Sequence, residues 1–323
     1  MKALVYQHYG STEVLRLQEV DRPVAGPNEI LVRVRATTVN RTDNATVKGI
    51  PFFARLLTGL FRPKQPIPGS EFAGEVEAIG EGVTSLVVGD RVFGFKDIGC
   101  GAQAEYLTIA EDHALTIPDG LSYEQAAAGT EGAHYARNFM NKVPIATGQD
   151  VMVYGASGAI GSALVQLSKA EGLKVTAVCG TRNARLLKSL GADRVIDYTR
   201  EDFRQDSQRY DYVFDSVGKV SFFQTRHLLK HGGVYISSDL GFLGQNIYLP
   251  MITPWTRKLL GTRMTAFPFP TDIPATLAQV KRLTGEGKFR AVIDRKYPFD
   301  QIIEAYRYVE RGHKTGNVVV TVA

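Results

Sequence analysis

Val151-Met152-Val153-Tyr154-Gly155-Ala156-Ser157-Gly158-Ala159-Ile160-Gly161 decides the fold. A run of strand character ends in three glycines spaced three residues apart, and Ser162 to Lys169 continues with helical periodicity. That order predicts a strand, a tight glycine turn and a helix, the opening unit of a dinucleotide fold. Glycine lets the chain turn sharply and lets backbone N–H groups approach a pyrophosphate at the positive end of the helix. Gly155, Ala156, Ser157, Gly158, Ala159, Ile160 and Gly161 are therefore the candidate phosphate contacts.

Working outward, Lys174 to Cys179 reads as a second strand, Asn183 to Leu190 as a helix closed by Gly191, and Arg194 to Ile196 as a third strand. Tyr212 to Asp215, Val220 to Leu229 and Val234 to Ser237 repeat strand, helix and strand, with His231-Gly232-Gly233 as the break. Such alternation predicts an α/β architecture, a doubly wound parallel sheet with helices on both faces, in the middle of the chain.

An NAD site commonly places Asp or Glu about 20 residues beyond the glycines, on the ribose 2′-hydroxyl. Between Gly172 and Ala192 there is no carboxylate; Thr181 and Arg182 end the second strand, with Arg185 one turn on. A guanidinium beside a hydroxyl suits a 2′-phosphate, which a carboxylate would repel, so NADPH is expected over NADH. The competing reading leaves both arginines as a solvated helix surface.

Across 323 residues the chain is 44% hydrophobic and 22% charged, a globular composition long enough for about two domains. No apolar run reaches spanning length, and Met1 to Tyr6 reads as a first strand, not a signal peptide. Two cysteines, Cys100 and Cys179, make no disulfide framework, which points to a cytoplasmic setting. The charge of +5 is scattered without a basic, aromatic-laced run, so no specific nucleic acid is expected as partner.

The first 120 or so residues differ in texture. Glu29 to Ala36 alternates polar and apolar between Pro/Gly turns, as in a small β-barrel-like domain. Pro68-Gly69-Ser70-Glu71-Phe72-Ala73-Gly74-Glu75-Val76 then leads to Gly80, Gly82-Val83 and Gly89-Asp90-Arg91-Val92. This stretch closely resembles the GroES-like domain of medium-chain dehydrogenases/reductases, and Val151 to Lys169 resembles the signature of their zinc-free quinone oxidoreductase (zeta-crystallin-like) branch. Met152 replaces the usual leucine and Ala159 a usual glycine, neither of which spoils the turn. The resemblance continues to Gly312–Val320 and implies a Rossmann-type domain inserted in a GroES-like β-barrel catalytic domain. The implied catalytic domain is residues 1–122 plus 266–323, the nucleotide domain 123–265, with the active site in the cleft between them and a homodimer as the assembly.

In zinc-dependent relatives the metal is held by cysteine, histidine and a third ligand; the matching positions here are Asn40, Ser70 and the segment of Thr130, so no metal is expected. His227 and His231, four apart, have helical ligand spacing but no further partner. Without a Lewis acid, acceptors whose own electronics absorb a hydride are favoured: quinones first, alkenals and enones second. The resemblance places Asn40, Asp43 and Glu71 at the catalytic site, with Asp43 equally readable as a helix cap. It adds Thr130, Tyr198, Ser216, Val217, Gly218, Ser237, Ser238 and Asn317 to the cofactor site. Phe53, Leu57, Leu60 and Phe61 share one helical face within Ile50–Phe61, read as a lid over an apolar acceptor, as packing on the barrel, or as a membrane-surface helix. Gln245 to Met264, with Trp255, reads as a second lid or a subunit contact. The alternative outside enzymology is an NADPH-binding sensor or structural protein with little turnover.

Overall fold

The computed structural model describes residues 1–239, 241, 244–251, 264–268 and 272–323. Trp255 and most of the stretch Gln245 to Met264 lie outside the described residues. In chain order the first strands are β1 (Lys2–Val5), β2 (Arg16–Glu19), β3 (Glu29–Val39), β4 (Glu71–Ile79), β5 (Arg91–Phe95), β6 (Tyr106–Ala110) and β7 (Ala114–Thr116). There follow β8 (Asp150–Tyr154), β9 (Lys174–Cys179), β10 (Arg194–Asp197), β11 (Tyr210–Asp215), β12 (Leu229–Ser237), β13 (Met264–Ala266), β14 (Ile293–Pro298) and β15 (Asn317–Thr321).

The chain forms two compact units, Met1–Glu131 with Asp272–Ala323 and Gly132–Thr271. These boundaries fall later than 122 and 266. The helix Tyr123–Ala127 packs on β3 and β4, which keeps it with the first unit, while β13 pairs with β12 and so keeps Ala266 in the second.

In the first unit a seven-stranded sheet runs β14-β15-β3-β4-β5-β7, with β6 also on β3. The long β3 organises it: its start pairs with β6, its end with β15, and its other edge with β4. Alternate residues Ile30, Val32 and Val34 are fully buried and meet Phe72, Val92, Tyr306 and Val320 in one core. Two chain ends far apart in sequence are thereby brought against the turn that leaves β3 at Asn40.

In the second unit six parallel strands lie in the order β10-β9-β8-β11-β12-β13. The order reverses between β8 and β11, and ligands of open α/β sheets bind at such a switch, outside the carboxyl ends of the strands. The helix Ala159–Ala170 buries Gly161 through Ser168 without a break, as expected of a helix laid across a sheet. Two expectations are corrected. Val220 to Leu229 holds only a single helical turn, Phe222–Thr225, and a 3₁₀ turn, Arg226–Leu228. His231-Gly232-Gly233 does not end the segment but lies inside β12, as an irregularity where pairing with β11 jumps from Leu229 to Val234. Gly232 supplies the positive φ of 80° that this jog needs.

Candidate functional site

At the switch point β8 delivers the chain into the glycine turn. Gly155 takes φ +75°, and a side chain on it would stand 1.9 Å from Val217 of the neighbouring turn after β11. A side chain on Gly161 would stand 2.2 Å from the Gly155 carbonyl oxygen, so the third glycine is what lets the helix sit on the strand. Gly158 is different. It has φ −75°, caps the helix, and a side chain on it would meet nothing nearer than 3.6 Å. The protein leaves that side open at the N-cap of the helix, where by helix geometry the first-turn amides of Ala159, Ile160 and Gly161 lack intrahelical acceptors. Backbone donors and a vacant approach are what a pyrophosphate requires.

Beyond β9, Thr181, Arg182 and Arg185 are exposed, as is Tyr198, whose N–H donates to Cys179 O at 3.0 Å. Thr181 Oγ1 donates to Asp197 Oδ2 at 2.5 Å, and Asp197 Oδ1 accepts from Thr199. This carboxylate lies beyond Ala192 in sequence and arrives from the next strand; its pKa is pulled down by the Thr181 and Thr199 hydroxyls. After β11, buried Asp215 accepts the N–H groups of Val217 (2.9 Å) and Gly218 (2.8 Å) and the Tyr235 hydroxyl (2.9 Å). Ser216 Oγ donates to Tyr154 O at 2.9 Å, which ties this turn to the end of β8. Ser237 is buried with its hydroxyl 3.4 Å from Asp215 Oδ2, and Ser238 N–H donates to Asp215 O.

The first unit holds a second constellation, built of side chains. Asn40 ends β3, and its Nδ2 donates to Glu71 Oε1 at 2.9 Å and Glu131 Oε2 at 2.8 Å. Its Oδ1 accepts from Lys314 Nζ at 2.9 Å. Glu71 is fully buried and takes four donors: Asn40 and the Thr38 hydroxyl on Oε1, the Thr130 hydroxyl (2.6 Å) and Glu131 N–H (2.8 Å) on Oε2. Asp43 Oδ2 accepts the Asn40 N–H at 2.7 Å, so the cap reading of Asp43 describes a real bond at the start of the helix Arg41–Lys48. Asn317 joins the same group, 3.2 Å from Asn40 Nδ2 and donating to Ala128 O and Val292 O. Thr130 and Asn317, expected beside the cofactor, are thus placed in this network, while the other expected cofactor residues gather around the sheet of the second unit.

Burial sets the protonation of the group. It pushes the Asp43 carboxyl up to about 7, opposed by the Asn40 N–H and reinforced by Glu71. Burial likewise raises Glu71 against the pull of its hydroxyl donors, and raises Glu131 well above the carboxylate range, with Glu71 and Asp43 adding to it. Lys314 is lowered to about 8 by burial, although Glu131 and Glu71 draw it back. Three buried carboxyls raised by burial thus face one half-buried ammonium that burial lowers. Glu131 and Lys314 were not singled out from sequence; the position of Glu131 beside Thr130 was the available signal.

At the positions matching zinc ligands stand Asn40, Ser70 and Thr130, which do not make a zinc donor set. Ser70 Oγ is buried with no hydrogen-bond partner among the described residues, whereas Asn40 and Thr130 are turned toward carboxylates. No group of three or more His, Cys, Asp or Glu arranged to hold a metal occurs among the described residues. His227 lies in a 3₁₀ turn and His231 in a strand, so helical ligand spacing does not apply to them. Ile50–Phe61 contradicts packing on the barrel: Phe53, Leu57, Leu60 and Phe61 are all exposed, and its regular helix is one turn, Arg55–Thr58.

Residues 26–119 match the model of the alcohol dehydrogenase GroES-like domain, and residues 190–320 that of the zinc-binding dehydrogenase. The chain is 32% identical to 2-methylene-furan-3-one reductase of Solanum lycopersicum, over 99% of this chain and 79% of that one. It is 31% identical to the chloroplast envelope quinone oxidoreductase homolog of Arabidopsis thaliana, over 99% and 98%. Among solved structures, the quinone oxidoreductase from Coxiella burnetii superimposes with a TM-score of 0.85 at 28% identity, covering 100% of this chain and 99% of that one.

Proposed function

Because the chain belongs to the medium-chain dehydrogenase/reductase superfamily, in its zinc-free quinone oxidoreductase branch, we propose that it transfers a hydride from a pyridine nucleotide to a quinone or similar conjugated carbonyl, without zinc. The observation that carries this reading is the open side of Gly158 at the N-cap of the helix that follows β8. A dinucleotide supplies the hydride when bound. The chain's own residues bind and orient it. Gly155 to Gly161 present backbone donors to the pyrophosphate, the Ser216–Gly218 turn, fixed by Asp215, borders it, and Ser237 and Ser238 extend the same edge.

NADPH is the proposed form, since Arg182 and Arg185 stand exposed where a 2′-phosphate would sit, with Tyr198 alongside. The Thr181 hydroxyl is committed to Asp197, so the arginines carry the preference. Asn40, Asp43 and Glu71 are proposed for the chemistry as positioning residues, because each is buried and bonded inward. Asn40 fixes the chain at the end of β3, and Glu131 and Lys314 hold protons beside it. Two buried free thiols, Cys100 and Cys179, support a cytoplasmic setting, and a homodimer is the assembly the family implies.

The test is NADPH and NADH oxidation by metal-stripped protein against an ortho-quinone, a para-quinone, a 2-alkenal and a cyclic enone. Quinone turnover with NADPH preferred is expected, and Arg182→Ala/Arg185→Ala should cut that preference by about 10- to 100-fold, the worth of charge-assisted hydrogen bonds. Turnover of the alkenal and enone alone would establish the second reading, reduction of an activated alkene, which the tomato reductase favours. Tight NADPH binding with no turnover on any acceptor would overturn both and leave a nucleotide-binding sensor.

A further inference from the structure

Between the buried acids Asp43 and Glu71 the first unit sends out a long excursion whose surface chemistry is one-sided. Phe52, Leu56 and Phe61 are 67%, 70% and 85% exposed, and Ile50, Phe53, Leu57 and Leu60 are exposed beside them. Scattered apolar residues on a surface are ordinary, but seven large ones in twelve consecutive residues make a patch. Residues 44–70 contain four cations, Lys48, Arg55, Arg62 and Lys64, and no acid. Arg62 and Lys64 are exposed and lack an ion-pair partner among the described residues.

The backbone of the excursion is fastened, which is why the apolar side chains point away from the fold. The Tyr9 hydroxyl donates to Gly59 O at 2.6 Å and lies 2.9 Å from Thr58 Oγ1. Arg55 stacks over the Tyr9 ring at 4.4 Å and donates to Gly49 O at 2.9 Å. Gly59, with φ +119°, is required because a side chain there would meet Arg62 O at 2.0 Å, and Lys64 N–H closes the loop on Thr58 O at 2.7 Å. The result is a tethered platform with an apolar crown and a basic skirt.

We propose that residues 50–64 dock this protein on an anionic lipid bilayer, the phenylalanines and leucines entering the headgroup–acyl boundary while Arg62 and Lys64 meet lipid phosphates. Apolar insertion flanked by lysine and arginine is the chemistry of interfacial segments. A second copy is a poorer occupant, since a symmetric contact through this segment would set Arg62 and Lys64 against their own counterparts, Lys48 being the cation already offset, by Glu310. As a lid over a soluble acceptor the crown would need no cations. On the quinone reading proposed above, such docking brings the enzyme to acceptors dissolved in the bilayer; the docking itself stands apart from that reading.

Sedimentation with vesicles of phosphatidylcholine, alone or mixed with phosphatidylglycerol, tests it on the full chain. The wild type should sediment with both and favour the anionic vesicles, the excess vanishing in high salt. Leu56→Ser/Phe61→Ser should lose at least about 30-fold in partition to either vesicle, by the apolar area it removes. Arg62→Ser/Lys64→Ser should lose roughly 20-fold on anionic vesicles only, about one phosphate attraction per cation. All four side chains are exposed, so both variants should keep the wild-type melting temperature, and a circular dichroism melt confirms that they fold. Failure of the wild type to bind anionic vesicles, or unchanged binding by Leu56→Ser/Phe61→Ser, overturns the proposal. Concentration-dependent association that Leu56→Ser/Phe61→Ser abolishes, without vesicle binding, would assign the crown to a second copy and overturn it equally. Where the wild type does bind, a quinone carried in the vesicles should be reduced faster than by Leu56→Ser/Phe61→Ser, with a water-soluble quinone reduced equally by both. Vesicle binding without any quinone turnover would fail the reaction and leave the docking intact.

Discussion

The two units carry polar constellations of opposite construction. In the second, the glycine turn is built of backbone: the groups proposed to meet the pyrophosphate are consecutive in sequence, and what matters at Gly155 and Gly161 is that no side chain is there. In the first, the acid cluster is built mainly of side chains, with Asn40 reaching Glu71 31 residues on, Glu131 91 residues on and Lys314 274 residues on. The backbone site is open, with first-turn amides awaiting an acceptor. The side-chain site is closed, with Glu71 already taking four donors. Open backbone donors make a binding site, whereas a saturated buried network fixes geometry and stores protons.

The contrast breaks most violently at Gly161. A side chain there would stand 2.2 Å from the Gly155 carbonyl oxygen, and that obstacle is backbone, which cannot rotate away. Gly161→Val should destabilise the second unit by about 4 kcal/mol or more, at the extreme of single substitutions. Calorimetry should show the loss as a lowered or missing transition, together with lost NADPH binding. A fully folded variant that binds NADPH would mean the helix and strand can separate, and that the third glycine serves the ligand and not the packing.

In the closed site the corresponding change is Glu71→Gln. A glutamine has one acceptor oxygen and must aim its amide nitrogen at the other pair of donors. On one side that pair includes the Glu131 N–H, which can only donate; on the other it includes the Asn40 amide, which could offer its oxygen only by giving up its bonds to Glu131 and Lys314. The clash should cost about 3 kcal/mol, the scale for breaking a buried network by losing one partner. Since Glu71 bonds only within its own unit, NADPH affinity measured below the melting transition should stay near the wild-type value. A large loss of affinity with an unchanged melting temperature would reverse the roles assigned to the two sites.

The same difference governs what was legible. The glycine turn, β8 to β11 and the helices beside them follow from local pattern, because a parallel strand and its crossover helix declare themselves in neighbouring residues. The jog at His231-Gly232-Gly233 reads as an ending because a glycine pair signals a turn, and only cross-strand pairing shows that β12 continues through it. Asp197 escaped notice for a related reason, since it reaches Thr181 from the adjacent strand. Asn40, Asp43 and Glu71 were found through family resemblance at single positions. Glu131 and Lys314 belong with them through tertiary contact alone, which no periodicity encodes. Ile50–Phe61 carried a helical pattern, but its apolar side chains stay exposed, with no core formed around them among the described residues.

The finest comparison between the sites is their response to pH. Asp43 titrates at about 7 in the folded protein, pushed there first by burial, against about 4 for an aspartate in an unfolded chain. Between those values the folded state keeps a proton that the unfolded state has released, so stability falls as pH rises through the window from about 4 to about 7. Asp43→Asn keeps an oxygen to accept the Asn40 N–H but has no proton to lose. Its melting temperature should fall less steeply across that window, the slope shrinking by at most one proton, about 1.4 kcal/mol per pH unit. A residual slope of the same sign should remain, because burial also raises Glu71 and Glu131. Near neutral pH the variant should be at least as stable as the wild type. If instead the two pH profiles run parallel, Asp43 is ionised throughout, and the proton stored in the cluster belongs to Glu131 and Lys314 alone.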